Sequence, residues 1–427
     1  MSLIVSLSSV EATDASRFGP KAANLARLGR AGLPIPAGFC VDARAYRQQL
    51  DALGLEASAR GVFQADTAPE GRRHALRMRL ALLQQAIPDG LLRPLLAAKR
   101  RLIAAADALC VVRSSALVED REGSSFAGQF ESYLGLEHES EFLTAVRACW
   151  AALWSTRALR YMAACGLDPA DTAMAVLVQP LVVARASGGA LSRTSGGELL
   201  LSATWGLGSS IAQGEVTPDR FELGPNGELL RVSVGHKDHS VGCAHRRAPT
   251  TEAVPPALAA EPCLNPSQVS CLADLVRGAE EVMKMPVEVE WALDAEGFKL
   301  LQARPLQIRA AHVPDEIWLQ HPRLHGHPAG VGWATGRAVV INCECELGRV
   351  GPGDVLVTRV AGPTLGHILS RVAGIVTERG GSTSHFASLA RERGIPMVLG
   401  VGDATRRIPD GVQVAVDGVA GIVRWMR

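Results

Sequence analysis

One stretch near the C-terminal end restricts the fold more than any other. The apolar run Val372 to Val376 leads into Thr377-Glu378-Arg379-Gly380-Gly381-Ser382-Thr383-Ser384-His385, and an amphipathic pattern from Phe386 to Arg393 leads out. An apolar run, two glycines, three hydroxyl residues and a helical period read as strand, tight turn and helix. His385 then stands on the first turn of a helix, where free N–H groups favour an anion. Such a unit, in a chain with only 4% aromatic residues, points to α/β layers rather than a β-sandwich. His385 is therefore a candidate carrier of a phosphoryl group, and the remaining chain is searched for a donor.

At 427 residues the chain is too long for one ordinary core, so two or three domains are expected. The net charge of +1 argues against a nucleic-acid partner. No apolar run approaches the ~20 residues of a membrane helix, and Met1 to Val10 lacks the basic flank and apolar core of a signal peptide. The nine cysteines include no CxxC pair. All nine are expected to be reduced thiols of a cytoplasmic protein.

Three further stretches carry chemistry. In the first, Phe18-Gly19-Pro20-Lys21-Ala22-Ala23-Asn24-Leu25, Lys21 lies beside a Gly turn at a helix start. It can hold a phosphate or be a solvated surface lysine. In the second, Val111-Val112-Arg113-Ser114-Ser115-Ala116 precedes the loop Gly123-Ser124-Ser125-Phe126-Ala127-Gly128-Gln129. Arg113 offers a planar fork for phosphate oxygens, and the loop can fold its N–H groups over a polyphosphate. A hairpin with a salt-bridged arginine is the plain alternative. In the third, Val287-Glu288-Val289-Glu290-Trp291 and Lys299-Leu300-Leu301-Gln302-Ala303-Arg304, with a turn near Gly297, read as a hairpin. Glu288 and Glu290 share one face of the first strand, and Gln302 and Arg304 one face of the second. Two carboxylates, an amide and an arginine suit Mg²⁺ and a polyphosphate.

Between these stretches, residues 41–108 read as helices, with Leu76, Leu80, Leu82 and Leu83 at helical spacing. Residues 143–166 read as helical, with Trp150 and Trp154 in the core. Strands are expected at Ala173 to Val183, Ala190 to Ser192 and Leu199 to Thr204, with a break at Ser187-Gly188-Gly189. Residues 248–267 read as a surface loop. His236-Lys237-Asp238-His239 looks metal-like but lies in a polar stretch. Residues 311–328, rich in histidine and proline, read as a linker before a small domain of short strands.

Together these motifs resemble the ATP-dependent dikinase superfamily of phosphoenolpyruvate synthase and pyruvate, phosphate dikinase, to which rifampin phosphotransferase and glutamine kinase are similar. The marks are Gly19-Pro20-Lys21-Ala22-Ala23-Asn24-Leu25, Val112-Arg113-Ser114-Ser115-Ala116, Trp205-Gly206-Leu207-Gly208, Glu290-Trp291-Ala292, Leu301-Gln302-Ala303-Arg304-Pro305, Gly380 to His385 and Arg391-Glu392-Arg393-Gly394-Ile395-Pro396. The resemblance implies an α/β (α+β) chain. An ATP-grasp-type nucleotide-binding region would span 1–310, a linker 311–328, and a swivelling β/β/α phosphohistidine domain 329–427. It implies that Lys21, Arg113 and Arg304 hold ATP phosphates. Gln179 and the backbone near Leu181 would contact adenine, and Ser192 would stand near the phosphates. Glu290 and Gln302 would ligand Mg²⁺. His385 would be the nucleophile, with Thr383 and Arg113 supporting transfer. Two departures stand out: Ser209 where the family has glutamate after Gly-Leu-Gly, and Pro20 and Ala22 where it has glycines around the lysine.

The implied activity is transfer of the ATP β-phosphate through His385 to a small-molecule acceptor, with AMP and phosphate released. Phosphoenolpyruvate synthase continues into a pyruvate-binding TIM barrel, whereas the sequence here stops after the His domain. The alternatives are therefore one subunit of a split synthase with an acceptor-domain partner protein, a ligase that activates a carboxylate, and a non-catalytic homologue.

Overall fold

Side-chain alternation along two antiparallel sheets sets the architecture. The computed structural model describes residues 2–106, 108–119, 126, 129–194, 196–242, 250–306, 318, 320–360, 362, 365–366 and 368–426. The loop residues Gly123, Ser124, Ser125, Ala127 and Gly128, and most of 307–319 including His312 and Pro314, lie outside them. The chain divides into two units. Unit 1 holds 1–183, 243–250 and 299–304, and unit 2 holds 184–242, 251–298 and 305–427.

Unit 1 is built on a five-stranded sheet in the order Ile4–Ser6, Phe39–Val41, Met174–Pro180, Cys110–Ala116, Ser132–Leu136, with every neighbouring pair antiparallel. The helix Ala15–Arg30 packs on it through Phe18, Ala22, Leu25 and Ala26, which meet Leu7, Cys40 and Leu177. That helix breaks at Gly19, whose φ is 75°; only glycine takes this conformation without strain. A side chain there would collide with Ser115. Pro20, which has no N–H to lose, restarts the helix. Helices Ala43–Ala52, Glu56–Gln64, Ala68–Gln84 and Asp89–Ala106 fill the stretch read as helical. Their buried stripe is offset from the leucine spacing: Leu82 and Met78 are buried, while Leu76 and Leu80 are exposed. Trp150 and Trp154 are core residues, and Trp154 Nε1 donates to Tyr46 Oη at 2.9 Å. Among the bonds that tie 299–304 into this unit are Leu300 N–H to the Pro34 carbonyl at 2.8 Å and Asn24 Nδ2 to the Ala303 carbonyl at 3.2 Å.

Unit 2 begins with strands Val287–Leu293, Ala186–Leu191, Leu199–Trp205, Asp219–Leu223 and Leu229–Ser233, adjacent in that order. Residues directly opposite in an antiparallel pair point to the same side. The register therefore places Val287, Val289, Ala190, Leu201 and Phe221 on one face, where the helix Pro266–Met283 covers them. The other face carries Glu288, Glu290, Gly189, Ser202, Thr204, Arg220 and Glu222.

The rest of unit 2 is an eight-stranded sheet in the order Arg323–His325, Ile422–Trp425, Gln413–Asp417, Trp333–Ile341, Val355–Thr358, Gly374–Thr377, Met397–Leu399, His327–Pro328. Strands Trp333–Ile341, Val355–Thr358, Gly374–Thr377 and Met397–Leu399 are parallel. The helix His385–Arg393 is the crossover between the last two, as parallel pairing requires. Val340, Val357, Val376, Val398, Val414 and Val423 form one core of this sheet together with Ala404 and Ile408.

Several expectations are corrected. The Ser187-Gly188-Gly189 break does not exist: Ala186–Leu191 is one strand. Gly188 is there because a side chain would collide with the Ser202 carbonyl. Residues 248–267 contain a strand, Thr250–Ala253, and a short helix, Pro256–Ala259. Within the stretch read as linker, 323–325 and 327–328 pair into the eight-stranded sheet. Cys343 and Cys345 are joined by a disulfide rather than reduced, their Cα atoms lying 5.3 Å apart, within bridging distance.

Lys237, flagged in a metal-like run, instead forms a fully buried ion pair with Asp219. The Asp219 carboxylate also accepts the N–H of Gly235 at 2.9 Å and of Cys263 at 2.7 Å. Removing one partner of such a pair strands a charge in the core. Lys237→Met is expected to cost about 3–5 kcal/mol in urea unfolding, and the double variant Asp219→Asn/Lys237→Met less than Lys237→Met alone.

Candidate functional site

The residues singled out from sequence fall into two sets, one in each unit. In unit 1, the turn at Gly19 aims Lys21 back toward the strand Cys110–Ala116. Lys21 Nζ donates to the Ser114 carbonyl at 2.9 Å and to Glu119 Oε1 at 3.3 Å. Glu119 Oε2 accepts the Ala116 N–H at 2.8 Å. Burial raises the Glu119 pKa, against the pull of Lys21. Glu119 is a site residue that sequence reading did not select. Its position after Val118, in a stretch without alternation, gave no signal.

Arg113 projects from the same strand. Its Nη1 donates to the Leu301 carbonyl at 2.6 Å, and its Nη2 to Gln302 Oε1 at 2.9 Å. The fork is thus preset, which lowers the entropy lost on gripping an anion. Arg304 is buried in the same unit. Gln179 is buried, its Nε2 donating to the Pro36 carbonyl at 3.1 Å, and the Leu181 N–H donates to the Leu109 carbonyl at 2.7 Å.

In unit 2 the His385 loop sits on the polar face of the first sheet. A side chain at Gly189 would collide with Thr383, and one at Gly381 would press on Pro218 and Ile211. Glu290 is the register partner of Gly189, so its side chain leaves the sheet beside the loop's seat. Ser384 caps the helix by accepting the Ala387 N–H at 3.2 Å. Thr383 Oγ1 is buried without a hydrogen-bond partner among the described residues, and so are the hydroxyls of Thr204, Ser209 and Ser210. Thr204 lies on the same sheet face as Gly189. Buried hydroxyls left unpaired cost stability, and the Thr383 hydroxyl stands one residue before the Ser384 cap of the His385 helix. Ser192 Oγ accepts the Val287 N–H at 2.8 Å.

Glu288, grouped with Glu290 by alternation, does different work. Its carboxylate takes Arg391 Nη2 at 2.9 Å and Ser388 Oγ at 3.0 Å, both from the His385 helix. Carboxylate and amide oxygens such as those of Glu290 and Gln302 are the hard donors Mg²⁺ takes, and Gln302 Oε1 already accepts from Arg113. Among the described residues no group of three or more His, Cys, Asp or Glu could hold a metal. Among them, too, no helix is long and apolar enough to cross a membrane.

Residues 15–320 match the family described as pyruvate phosphate dikinase, AMP/ATP-binding domain, and residues 350–421 match PEP-utilising enzyme, mobile domain. The chain is similar to a phosphoenolpyruvate synthase of Aeropyrum pernix, 33% identical over 95% of this chain and 56% of that protein. It is 31% identical to a probable phosphoenolpyruvate synthase of Methanothermobacter thermautotrophicus, over 96% of this chain and 61% of the relative. To the phosphoenolpyruvate synthase of Escherichia coli it is 32% identical, over 96% and 55%. The chain thus spans little more than half the length of these relatives.

The seating of the loop is open to a direct check. Gly189→Ala should lift it from the sheet and raise hydrogen exchange over residues 384–390 by about tenfold or more. Gly402→Ala, where an added Cβ meets nothing within 4 Å, should leave that exchange unchanged.

Proposed function

This chain belongs to the phosphoenolpyruvate synthase and pyruvate, phosphate dikinase superfamily, and we propose that it moves the β-phosphate of ATP onto His385 and from there to a small acceptor. The observation that carries the reading is the seat of the His385 loop. The loop that leads into the His385 helix rests on the strand glycine Gly189 through Thr383, whose hydroxyl has no hydrogen-bond partner among the described residues, and Glu290 is the register partner of that glycine.

The roles follow from charge and geometry. Lys21, Arg113 and Arg304 hold the polyphosphate of ATP, and the Leu301 carbonyl and Gln302 keep the Arg113 guanidinium in place for it. Gln179 and the backbone near Leu181 contact adenine, and Ser192 stands near the phosphates. Glu290 and Gln302 would hold Mg²⁺, which supplies charge neutralisation on the polyphosphate. A neutral imidazole nitrogen of His385 attacks the β-phosphorus. The bond to the α-phosphate oxygen breaks and AMP leaves. The terminal phosphate of the pyrophosphorylated histidine passes to water or phosphate, leaving phosphohistidine. The helix N-terminus and the Thr383 hydroxyl stabilise charge on the transferring group. The phosphoryl group then goes to the acceptor, and the imidazole regains its neutral form.

A second reading is equally supported by the names of the relatives. The phosphohistidine is discharged by pyruvate held on a separate acceptor domain or polypeptide.

Incubation with Mg²⁺ and β-labelled ATP should give AMP and an acid-labile, base-stable label on the protein. His385→Ala should carry no label, and Lys21→Met should label ~10–100-fold more slowly. Formation of ADP alone, or equal labelling of His385→Ala, would falsify the relay. Discharge of the label by pyruvate only when an acceptor-domain protein is added selects the second reading.

A further inference from the structure

A cavity of about 460 Å³ lies within unit 2, and its lining includes Pro328 and Arg391, both hydrogen-bonded to Ser382 of the His385 loop. Its floor is the polar sheet face, where Arg220 and Glu222 project. The opposite wall comes from the eight-stranded sheet and the His385 helix and includes His327 and Arg391. The volume is in the range of small-molecule sites, about 300–1,000 Å³. Arg391 is six residues beyond His385 on one helix, a rise of ~9 Å, so the cavity is not where His385 itself reacts.

Arg220 is only 9% exposed, and its Nη1 is buried with no hydrogen-bond partner among the described residues. Its Nε is 2.9 Å from Glu222. The other charges of the lining are accounted for differently. Arg391 is paired with Glu288 and Arg193 with Glu280, and Glu198 takes the Thr194 hydroxyl. Arg231, opposite Glu222 in register, has no ion pair among the described residues. Leaving a charged donor buried and unmet is costly. Burial pushes the His327 pKa down to about 4, and Arg220 and Arg231 push it the same way, so the ring is neutral near pH 7.

We propose that this cavity binds a small metabolite bearing an oxyanion, a phosphate ester or a carboxylate, whose oxygens take the open donors of Arg220 and Arg231. Because sheet and mobile domain both line it, the ligand favours the arrangement in which the His385 loop is seated on the sheet. The site is an anion sensor for that docking. It does not depend on the phosphohistidine chemistry, since binding is read without nucleotide.

The test is calorimetric titration of the full chain with inorganic phosphate and, separately, citrate. Arg220→Met and Arg231→Glu should each weaken binding about tenfold or more, ~1.4 kcal/mol. Arg100→Met, in an exposed pair with Glu139 that has no part in either set, should leave it within about twofold. Binding of phosphate but not citrate assigns a phosphate ester, and the reverse assigns a carboxylate. No binding of either probe at ~10 mM, or loss with Arg100→Met and not with the Arg220 and Arg231 variants, overturns the proposal. Should Arg220→Met not fold, Arg231→Glu decides, because Arg231 is exposed.

Discussion

The position of the candidate nucleophile depends on one buried ion pair. Arg391 meets Glu288 at 2.9 Å, and both side chains are 6% exposed. Arg391 also donates to the Ala329 carbonyl at 3.0 Å and to the Ser382 carbonyl. The guanidinium thus holds three things together: the sheet strand, the chain entering the mobile domain, and the loop before His385. Burying both charges contributes little net stability, yet stranding either one costs several kcal/mol. Such a pair therefore specifies an arrangement more than it strengthens it. It fixes which residue of the helix faces the sheet, and hence where His385 sits.

The two faces of that sheet explain how so polar an arrangement is tolerated. One face is apolar and sealed by the helix Pro266–Met283, which supplies the burial. The other is free to carry glutamates, an arginine and glycines. Gly189 removes a side chain at the place where the loop descends, so Thr383 reaches the strand. Stability comes from one side and chemistry from the other.

Much of this was legible in the sequence because it rests on local rules. The strand–turn–helix around His385 follows from two glycines, a capping serine and an amphipathic run. The Gly19 turn and the helix after Lys21 follow in the same way. What was missed depends on partners far along the chain. Glu288 looked like half of a metal pair because alternation reports a face and not what covers it; its partner is 103 residues away. Gly188 and Gly189 looked like a break because glycine weakens a strand, and the neighbours that demand it lie in other segments. Glu119 gained its role only through Lys21, 98 residues upstream. The leucine spacing of the helix Ala68–Gln84 misjudged its buried stripe, since Met78 and not Leu80 faces the core.

The crossover that carries His385 has a mechanical meaning. Its helix is anchored at both ends to adjacent parallel strands, Gly374–Thr377 and Met397–Leu399, the sixth and seventh strands of the eight-stranded sheet. A residue on a free loop can wander by itself, but this one cannot leave its place without dragging a whole layer of hydrogen-bonded backbone along. Whatever travel His385 makes is therefore that of a solid body turning about its attachments. In any such turn the imidazole keeps the same helix, the Ser384 cap and the Thr383 hydroxyl around it, so its aim is built into the arm.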